Sequence, residues 1–332
     1  MIAKAISPAG AGSFADANTV LATHGRSFYW ARSLLGKRHA VRATRLYRFC
    51  RYIDDLADES ASVELAAQAL DELSAAILHQ HAMNPLVADA LALMRECGID
   101  PSIMLELIRG VQSDLVMVRF ADENSLLRYC YRVAGTVGIM MCRVLDVGDE
   151  AALPHAIDLG IGMQLTNICR DVADDAVLGR RYLPASLVGD CEPAALLIPD
   201  AVLRPAVTNA VAALLTKAEA YYQSGEDGLH YLPAGARTGI LVAARLYRAI
   251  GRRLDRRSHD YWTHRTVVPP LAKMRVTLRA VFDLGIGHGA LSYRGSKTAS
   301  AECRRHDPQL HVALTGLPHT VFSHLPPDHE GG

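Results

Sequence analysis

Two clusters of carboxylates stand about 115 residues apart in the chain. The first is Cys50-Arg51-Tyr52-Ile53-Asp54-Asp55-Leu56-Ala57-Asp58, and the second is Asn167-Ile168-Cys169-Arg170-Asp171-Val172-Ala173-Asp174-Asp175. In each, an Arg precedes aspartates at i and i+4: Asp54 with Asp58, and Asp171 with Asp175. On a helix that spacing sets two carboxylates on one face, one turn apart. Like charges placed so repel each other, and a chain that does this twice implies a cation between the two faces. Hard oxygen donors suit Mg²⁺, which takes one or two carboxylates and fills its remaining positions with water or phosphate oxygens. The expected site is a cavity with opposed aspartate walls that hold Mg²⁺ and a diphosphate. The bland alternative for one cluster alone is a solvated helix end. The second cluster argues against it, because Asp171 and Asp175 follow the apolar positions Leu159, Ile161, Met163, Leu165 and Ile168, and charges on a mostly buried helix need partners or a metal.

Other residues gather around this chemistry. Gln164 and Asn167 precede Asp171 by seven and four residues, on about the same helix face, where they would hold metal-bound water or a phosphate oxygen. Arg26 with Ser27, Arg51, Arg170, Arg180 and Arg265 are candidates for the diphosphate, because the planar guanidinium grips phosphate through two donors. Tyr47, Tyr129 and Tyr247 are candidates to face a cationic intermediate with their rings, against the plainer reading of buried tyrosines with satisfied hydroxyls. Four glycines interrupt helical patterns, in Val133-Ala134-Gly135-Thr136-Val137-Gly138 and Gly160-Ile161-Gly162, each at a cost of about 1 kcal/mol against Ala. Two explanations stand: close helix packing, or a bare wall beside a long ligand, with Val133 and Gly138 lining it. The histidines His306, His311, His319, His324 and His329 show no metal-ligand spacing and receive no role.

The elements that must position these residues are helices. Val41, Leu46, Phe49, Ile53 and Leu56 recur at helical spacing and set the first acidic cluster at the end of a helix. Ser62 reads as an N-cap for a helix carrying Leu65, Leu70, Leu73 and Ile77, and Asn84-Pro85 and Asp100-Pro101 mark breaks. Residues 125–145 and 150–177 read as two long central helices, followed by a loop-rich stretch over 178–200 and helices over 201–226, 234–256 and 270–284. Strand-type alternation is nearly absent. Beyond Gly285 the composition turns to Gly, Ser, His and Pro, so residues 289–332 are expected to be a poorly ordered tail after an all-α domain spanning 1–288.

Composition narrows the function classes. Lys and Arg together number 35, as do Asp and Glu, which speaks against nucleic acid as the main partner. No apolar run reaches the roughly 20 residues of a membrane-spanning helix, and the first dozen residues do not read as a secretory signal. Seven cysteines without a CxxC pair read as reduced core residues of a cytoplasmic protein.

Taken together, these stretches resemble the phytoene synthase/squalene synthase family of head-to-head prenyl transferases. The resemblance rests on His24-Gly25-Arg26-Ser27-Phe28-Tyr29, the run Leu46 to Asp58, the run Tyr129 to Gly138, the run Gln164 to Asp175, and Gly179-Arg180-Arg181-Tyr182-Leu183-Pro184. With Ala220-Tyr221-Tyr222 and Gly228-Leu229-His230-Tyr231-Leu232-Pro233, it leans toward the bacterial phytoene synthases and ends before the tail. It implies an all-α isoprenoid synthase fold around a central apolar cavity. It implies that Asp54, Asp58, Asp171 and Asp175, with Asn167, hold Mg²⁺, with Mn²⁺ as a substitute, and that Arg51 and Tyr129 belong to the catalytic set. It places Arg26, Ser27, Phe28, Tyr47, Val133, Gly138, Gln164, Asn167, Arg170, Tyr247 and Arg265 against the substrate.

The reaction so implied joins two geranylgeranyl diphosphates through prephytoene diphosphate into phytoene, without NADPH. Released diphosphate and tyrosine are both candidates for the proton acceptor. Coupling of farnesyl diphosphate to squalene, presqualene diphosphate or dehydrosqualene remains as an alternative. So do chain elongation or terpene cyclisation, which share the DDxxD spelling of Asp54 to Asp58, and a non-catalytic helical lipid-binding or assembly protein. A monomer or weak homodimer is expected. The apolar product implies peripheral contact with the inner face of the cytoplasmic membrane, through an apolar patch or the Arg-rich run 245–257.

Overall fold

The computed structural model describes residues 30–290 and 305–326, with side chains described outside 285–290. Helix α1 (Lys37–Asp58) ends on the first acidic cluster. Three helices with side-chain caps follow: α2 (Val63–Leu78), α3 (Pro85–Cys97) and α4 (Pro101–Gln112). Ser62 accepts the Leu65 amide at 3.3 Å, and Asn84 accepts the Val87 amide at 2.9 Å. Asp100 accepts the Ser102 amide at 2.8 Å. Pro85 and Pro101 occupy the first turns, where no amide donor is needed.

Next come α5 (Glu123–Cys130), a π-turn over Tyr131–Gly135, and α6 (Thr136–Val144). The long α7 (Ala152–Val177) carries the second acidic cluster. A short α8 (Ala185–Val188), then α9 (Leu203–Asp227), α10 (Ala234–Asp255) and α11 (Pro270–Ala290) complete the bundle. Among the described residues the sole strand-like feature is an isolated bridge between Arg119 and Arg181.

Helix α7 is the axis of the fold and packs against α6, α9 and α10. Close approach to α6 and the π-turn is what Gly160 on α7 and Gly138 on α6 provide. A Cβ on Gly160 would lie 2.3 Å from the Ala134 carbonyl oxygen, and one on Gly138 would lie 2.2 Å from that of Ala156. Both glycines also line the central cavity, so close packing and a bare stretch of cavity wall coincide at these two positions.

Three expectations need correction. The helix expected over 125–145 is interrupted by the π-turn, whose wider loop of backbone sets Ala134 against Gly160 on α7. Val41 and Leu65 face solvent, at 49% and 53% exposure. In the first case the buried position goes to Arg42, which donates to Glu96 and Asp146 at 2.7 Å each. Residues 305–326 are not a loose tail. A 3-10 turn over Pro308–Leu314 follows an Asp307 cap, and His311, Leu314 and Leu317 are buried against the bundle. Among the described residues, Cys50, Cys97, Cys130, Cys142, Cys169 and Cys191 are free thiols.

Candidate active site

A cavity of about 1070 Å³ runs through the bundle, at the upper end of the range for ligand pockets. One end is polar. Asp54 and Asp58 reach it from α1, Gln164, Asn167 and Arg170 from α7, and Arg180 and Arg265 from the loops that follow α7 and α10. The shaft is apolar, with Leu107, Val133, Val137, Met141, Leu159 and Ile240 among its walls. Tyr47, Tyr129 and Tyr247 all line it.

The two acidic clusters meet through Arg180. Its Nη2 lies 3.4 Å from Asp58 Oδ1, while its charge also acts on Asp175 and Asp114. The carboxylates differ in their state. Asp171 is saturated: Arg170 Nε donates to it at 2.7 Å, Arg170 Nη2 makes a second bond, and Arg265 Nε donates at 2.8 Å. Burial alone would raise its pKa, but these guanidiniums outweigh burial and hold Asp171 below the usual carboxylate range. Asp54 and Asp175 are the reverse. Burial pushes Asp54 up to about 6, with Asp58 and Asp55 adding to the rise. Burial pushes Asp175 to about 7, with Asp171 and Asp114 adding. The protein has left negative charge here short of compensation, as a site that awaits cations would.

Asn167 supports the same reading. Its Oδ1 is buried with no hydrogen-bond partner, an acceptor open to a metal ion or its water. Its amide donates only a long 3.5 Å bond to Gln164. The four aspartates do not converge on one point. Among the described residues the single group of three or more metal-type side chains within 4.8 Å is Asp158 with His306 and His311, none of which lines the cavity. Oxygen donors spread over two walls fit Mg²⁺ ions completed by substrate phosphates rather than a dedicated protein cage.

Other site residues fall elsewhere. Arg51 pairs with Asp55 at 2.6 Å and is not part of the cavity wall. Arg26, Ser27 and Phe28, with the rest of the His24–Tyr29 motif, lie outside the described residues. Sequence reasoning missed Asp114, which lies after α4 and lines the cavity. Tyr129 and Tyr182 donate their hydroxyls to its two carboxylate oxygens at 2.8 and 2.7 Å. Burial raises the pKa of Asp114 despite both bonds, and burial raises both phenols well above their ordinary value. The sole local signal was an Asp just past a helix end, which is where capping and turn residues also sit. The Asp158–His306–His311 group was likewise invisible, because its members are about 150 residues apart.

A profile of the squalene/phytoene synthase family matches residues 21–273. The chain belongs to that family. Curated family members include a phytoene synthase from Pseudescherichia vulneris, 35% identical over 75% of this chain and 84% of that protein. A 15-cis-phytoene synthase from Pantoea ananas is 31% identical over 78% of this chain and 88% of its own length. Among solved structures, a dehydrosqualene synthase in complex with ligand superposes with a TM-score of 0.70 at 24% identity, covering 82% of this chain and 96% of that one. A squalene synthase from Alicyclobacillus acidocaldarius gives 0.65 at 19% identity, over 74% and 94%. These likenesses establish the all-α isoprenoid synthase fold for this family member. Its C-terminal segment beyond residue 273 lies outside the matched profile.

Proposed function

We propose that the protein couples two molecules of geranylgeranyl diphosphate head to head into phytoene, through prephytoene diphosphate, as the names of its curated relatives suggest. The observation that carries this reading is one cavity with an acid- and Arg-lined end opening onto a long apolar shaft. Burial of each C20 chain would supply on the order of 10 to 15 kcal/mol gross at about 0.8 per methylene-sized group, enough to position the diphosphates.

Asp54, Asp58, Asn167, Asp171 and Asp175 would hold Mg²⁺ or Mn²⁺. When bound, such ions supply positive charge to the departing diphosphate. Arg180 and Arg265 lie at the same end and oppose the charge that develops there. Asp114 fixes the Tyr129 proton toward itself, so the ring and the remaining lone pair are what Tyr129 can offer to the cavity. The apolar shaft keeps water from capturing an allylic cation.

Peripheral membrane contact is part of this proposal, because a C40 hydrocarbon has no path into water. Helix α11 supports it. Leu271, Met274, Leu278, Val281 and Phe282 recur at helical spacing and are 47% to 68% exposed, beside the exposed Arg275 and Arg279. The run 245–257 suits this role less well than the sequence suggested. Arg245 is paired with Glu226 and Asp283, and Arg248 with Glu219 and Glu226. No helix among the described residues is long and apolar enough to cross a membrane.

The test is product analysis after separate incubations with farnesyl and geranylgeranyl diphosphates and Mg²⁺, with and without NADPH. Phytoene from geranylgeranyl diphosphate without NADPH is the expected result. Squalene or dehydrosqualene as the main product, a longer diphosphate made only with added isopentenyl diphosphate, or no diphosphate release would each refute the reading.

A further inference from the structure

The end of the cavity opposite the aspartates is built around His155. It lies 16 positions before Asp171 on α7 (171 − 155), which is about 24 Å at 1.5 Å per residue. An extended carbon chain advances about 1.2 Å per bond, as a polypeptide backbone does, so the 16-carbon backbone of a C20 prenyl group spans roughly 19 Å. On the same scale a C15 group spans roughly 14 Å and a C25 group roughly 24 Å. With the diphosphate and its cations occupying the first few ångströms, a C20 chain ends about where the His155 ring stands.

That ring is held from three sides. Its Nδ1 lies 2.8 Å from the Ser224 carbonyl oxygen and 3.0 Å from Ser224 Oγ. Gly228 presses on it so closely that an added Cβ would meet His155 Cβ at 2.4 Å. From behind, His306 stacks edge-on, with ring centroids 5.4 Å apart at 81°. Burial lowers the His155 pKa, so the cavity meets a neutral ring.

His306 itself is fixed by a clamp. Asp158, three residues along α7 and fully buried, has His306 Nε2 2.8 Å from Oδ2 and His311 Nε2 3.1 Å from Oδ1. Ser224 Oγ donates to the same carboxylate. The rest of the segment is tied to the bundle by Arg128, which donates to the Thr315 carbonyl at 2.9 Å, and by the Tyr221 hydroxyl, which donates to that of Leu310 at 3.0 Å.

The clamp has the donor types of a metal site, but at His311 the hydrogen bond to the second ring nitrogen points the other way, and the second ring nitrogen of His306 has no partner. The Val321 amide donates to His311 Nδ1 at 3.1 Å, which leaves the proton of a neutral ring on Nε2, aimed at Asp158. A metal-bound histidine needs the opposite arrangement, with its second nitrogen donating.

We propose that His155 sets the length limit of the isoprenoid chain and that the C-terminal segment, through the Asp158–His306–His311 clamp, is the positioning element that holds it there. This rests on the reading of the cavity as a prenyl diphosphate site. It assigns a role to a part of the chain that the family profile does not cover.

The experiment compares wild type with His155→Ala, His155→Phe and His306→Ala in the full-length protein. Turnover is measured with C15, C20 and C25 prenyl diphosphates, and affinity with their unreactive thiolo analogues. Thermal melts confirm folding. His155→Ala should raise the C25 to C20 ratio by about tenfold or more, and His155→Phe should raise the C15 to C20 ratio similarly, given what one or a few carbons decide in an apolar pocket. His306→Ala should move the ratio in the direction of His155→Ala, by less. Folded variants with unchanged ratios, or an equal loss at every chain length, would overturn the proposal. The analogues keep it separate from the coupling reaction. A wild type that binds C20 best but yields no hydrocarbon would refute the coupling alone, and one that binds no prenyl chain would refute both.

Discussion

Arg180 reaches Asp58 across 122 residues of chain, with Nη2 3.4 Å from Oδ1. This contact joins the acidic end of α1 to the loop that follows the acidic end of α7, and it places a guanidinium between two sets of carboxylates. Arg180→Ala should therefore reduce kcat/KM by about 100-fold, the loss typical of removing one donor at a site of developing charge. Arg180→Lys should recover only part of it, because an ammonium lacks the planar fork. Steady-state kinetics with geranylgeranyl diphosphate check this, and a change of less than threefold for Arg180→Ala would show that the contact is incidental.

Asp54 and Asp171 should respond differently to the same neutralisation. Both Asp54→Asn and Asp171→Asn should lose most turnover. Asp54 carries a carboxylate that burial and its neighbours penalise, so Asp54→Asn should leave the metal-free protein as stable as wild type or more so. Asp171 satisfies Arg170 and Arg265, so Asp171→Asn should cost about 1–3 kcal/mol by stranding their donors. Denaturant melts of the two variants provide the comparison. Equal stabilities, or normal activity in both, would contradict the contrast drawn here.

The raised carboxyls carry a pH signature. A carboxyl whose folded pKa exceeds its unfolded value makes the folded protein hold more protons, so stability falls as pH rises through the window between them. For Asp54, near 6, and Asp175, near 7, that window runs from about 4 to about 7. Asp158 and Asp171 are shifted down, so their contributions fade only at more acid pH. Metal-free protein should thus melt higher at pH 5.5 than at pH 7.5, and added Mg²⁺ should narrow the gap by stabilising the ionised form. A flat profile that Mg²⁺ leaves unchanged would argue against these carboxyls as cation ligands.

The sequence disclosed the parts of this site that follow helix periodicity. Asp54 with Asp58, and Asn167 with Asp171 and Asp175, are local patterns one turn apart, and one pass along the chain finds them. The cap at Ser62 and the breaks at Asn84-Pro85 and Asp100-Pro101 were legible for the same reason, although that Asn84 and Asp100 are themselves caps emerged only in the structure. What stayed hidden depends on long-range contact. Asp114 acquires meaning only when Tyr129 and Tyr182 converge on it, and His306 and His311 only when Asp158 turns toward them. The π-turn at Tyr131–Gly135 was hidden too, because apolar spacing over 125–145 continues through it and one extra backbone residue leaves little trace in the pattern. The C-terminal segment misled by composition. Its Gly, Pro and His content reads as loose chain, yet a few buried groups such as His311 and Leu314 suffice to dock it.

Membrane contact should depend on the exposed apolar stripe of α11. Leu278→Glu combined with Phe282→Glu should abolish co-sedimentation with vesicles containing anionic lipid, while leaving turnover of detergent-dispersed substrate within about twofold, since neither side chain is part of the cavity wall. Vesicle binding that survives both substitutions would locate the contact elsewhere.

The most direct measurement is a crystal of the full-length protein grown with Mn²⁺ and an unreactive geranylgeranyl thiolodiphosphate, with the manganese located by anomalous scattering. Peaks bonded to Asp54 or Asp58 on one wall and to Asn167, Asp171 or Asp175 on the other, with the diphosphate between them and the chain running toward His155, are predicted. Manganese seated only at Asp158, His306 and His311, or a diphosphate bound away from both acidic helices, would contradict the account.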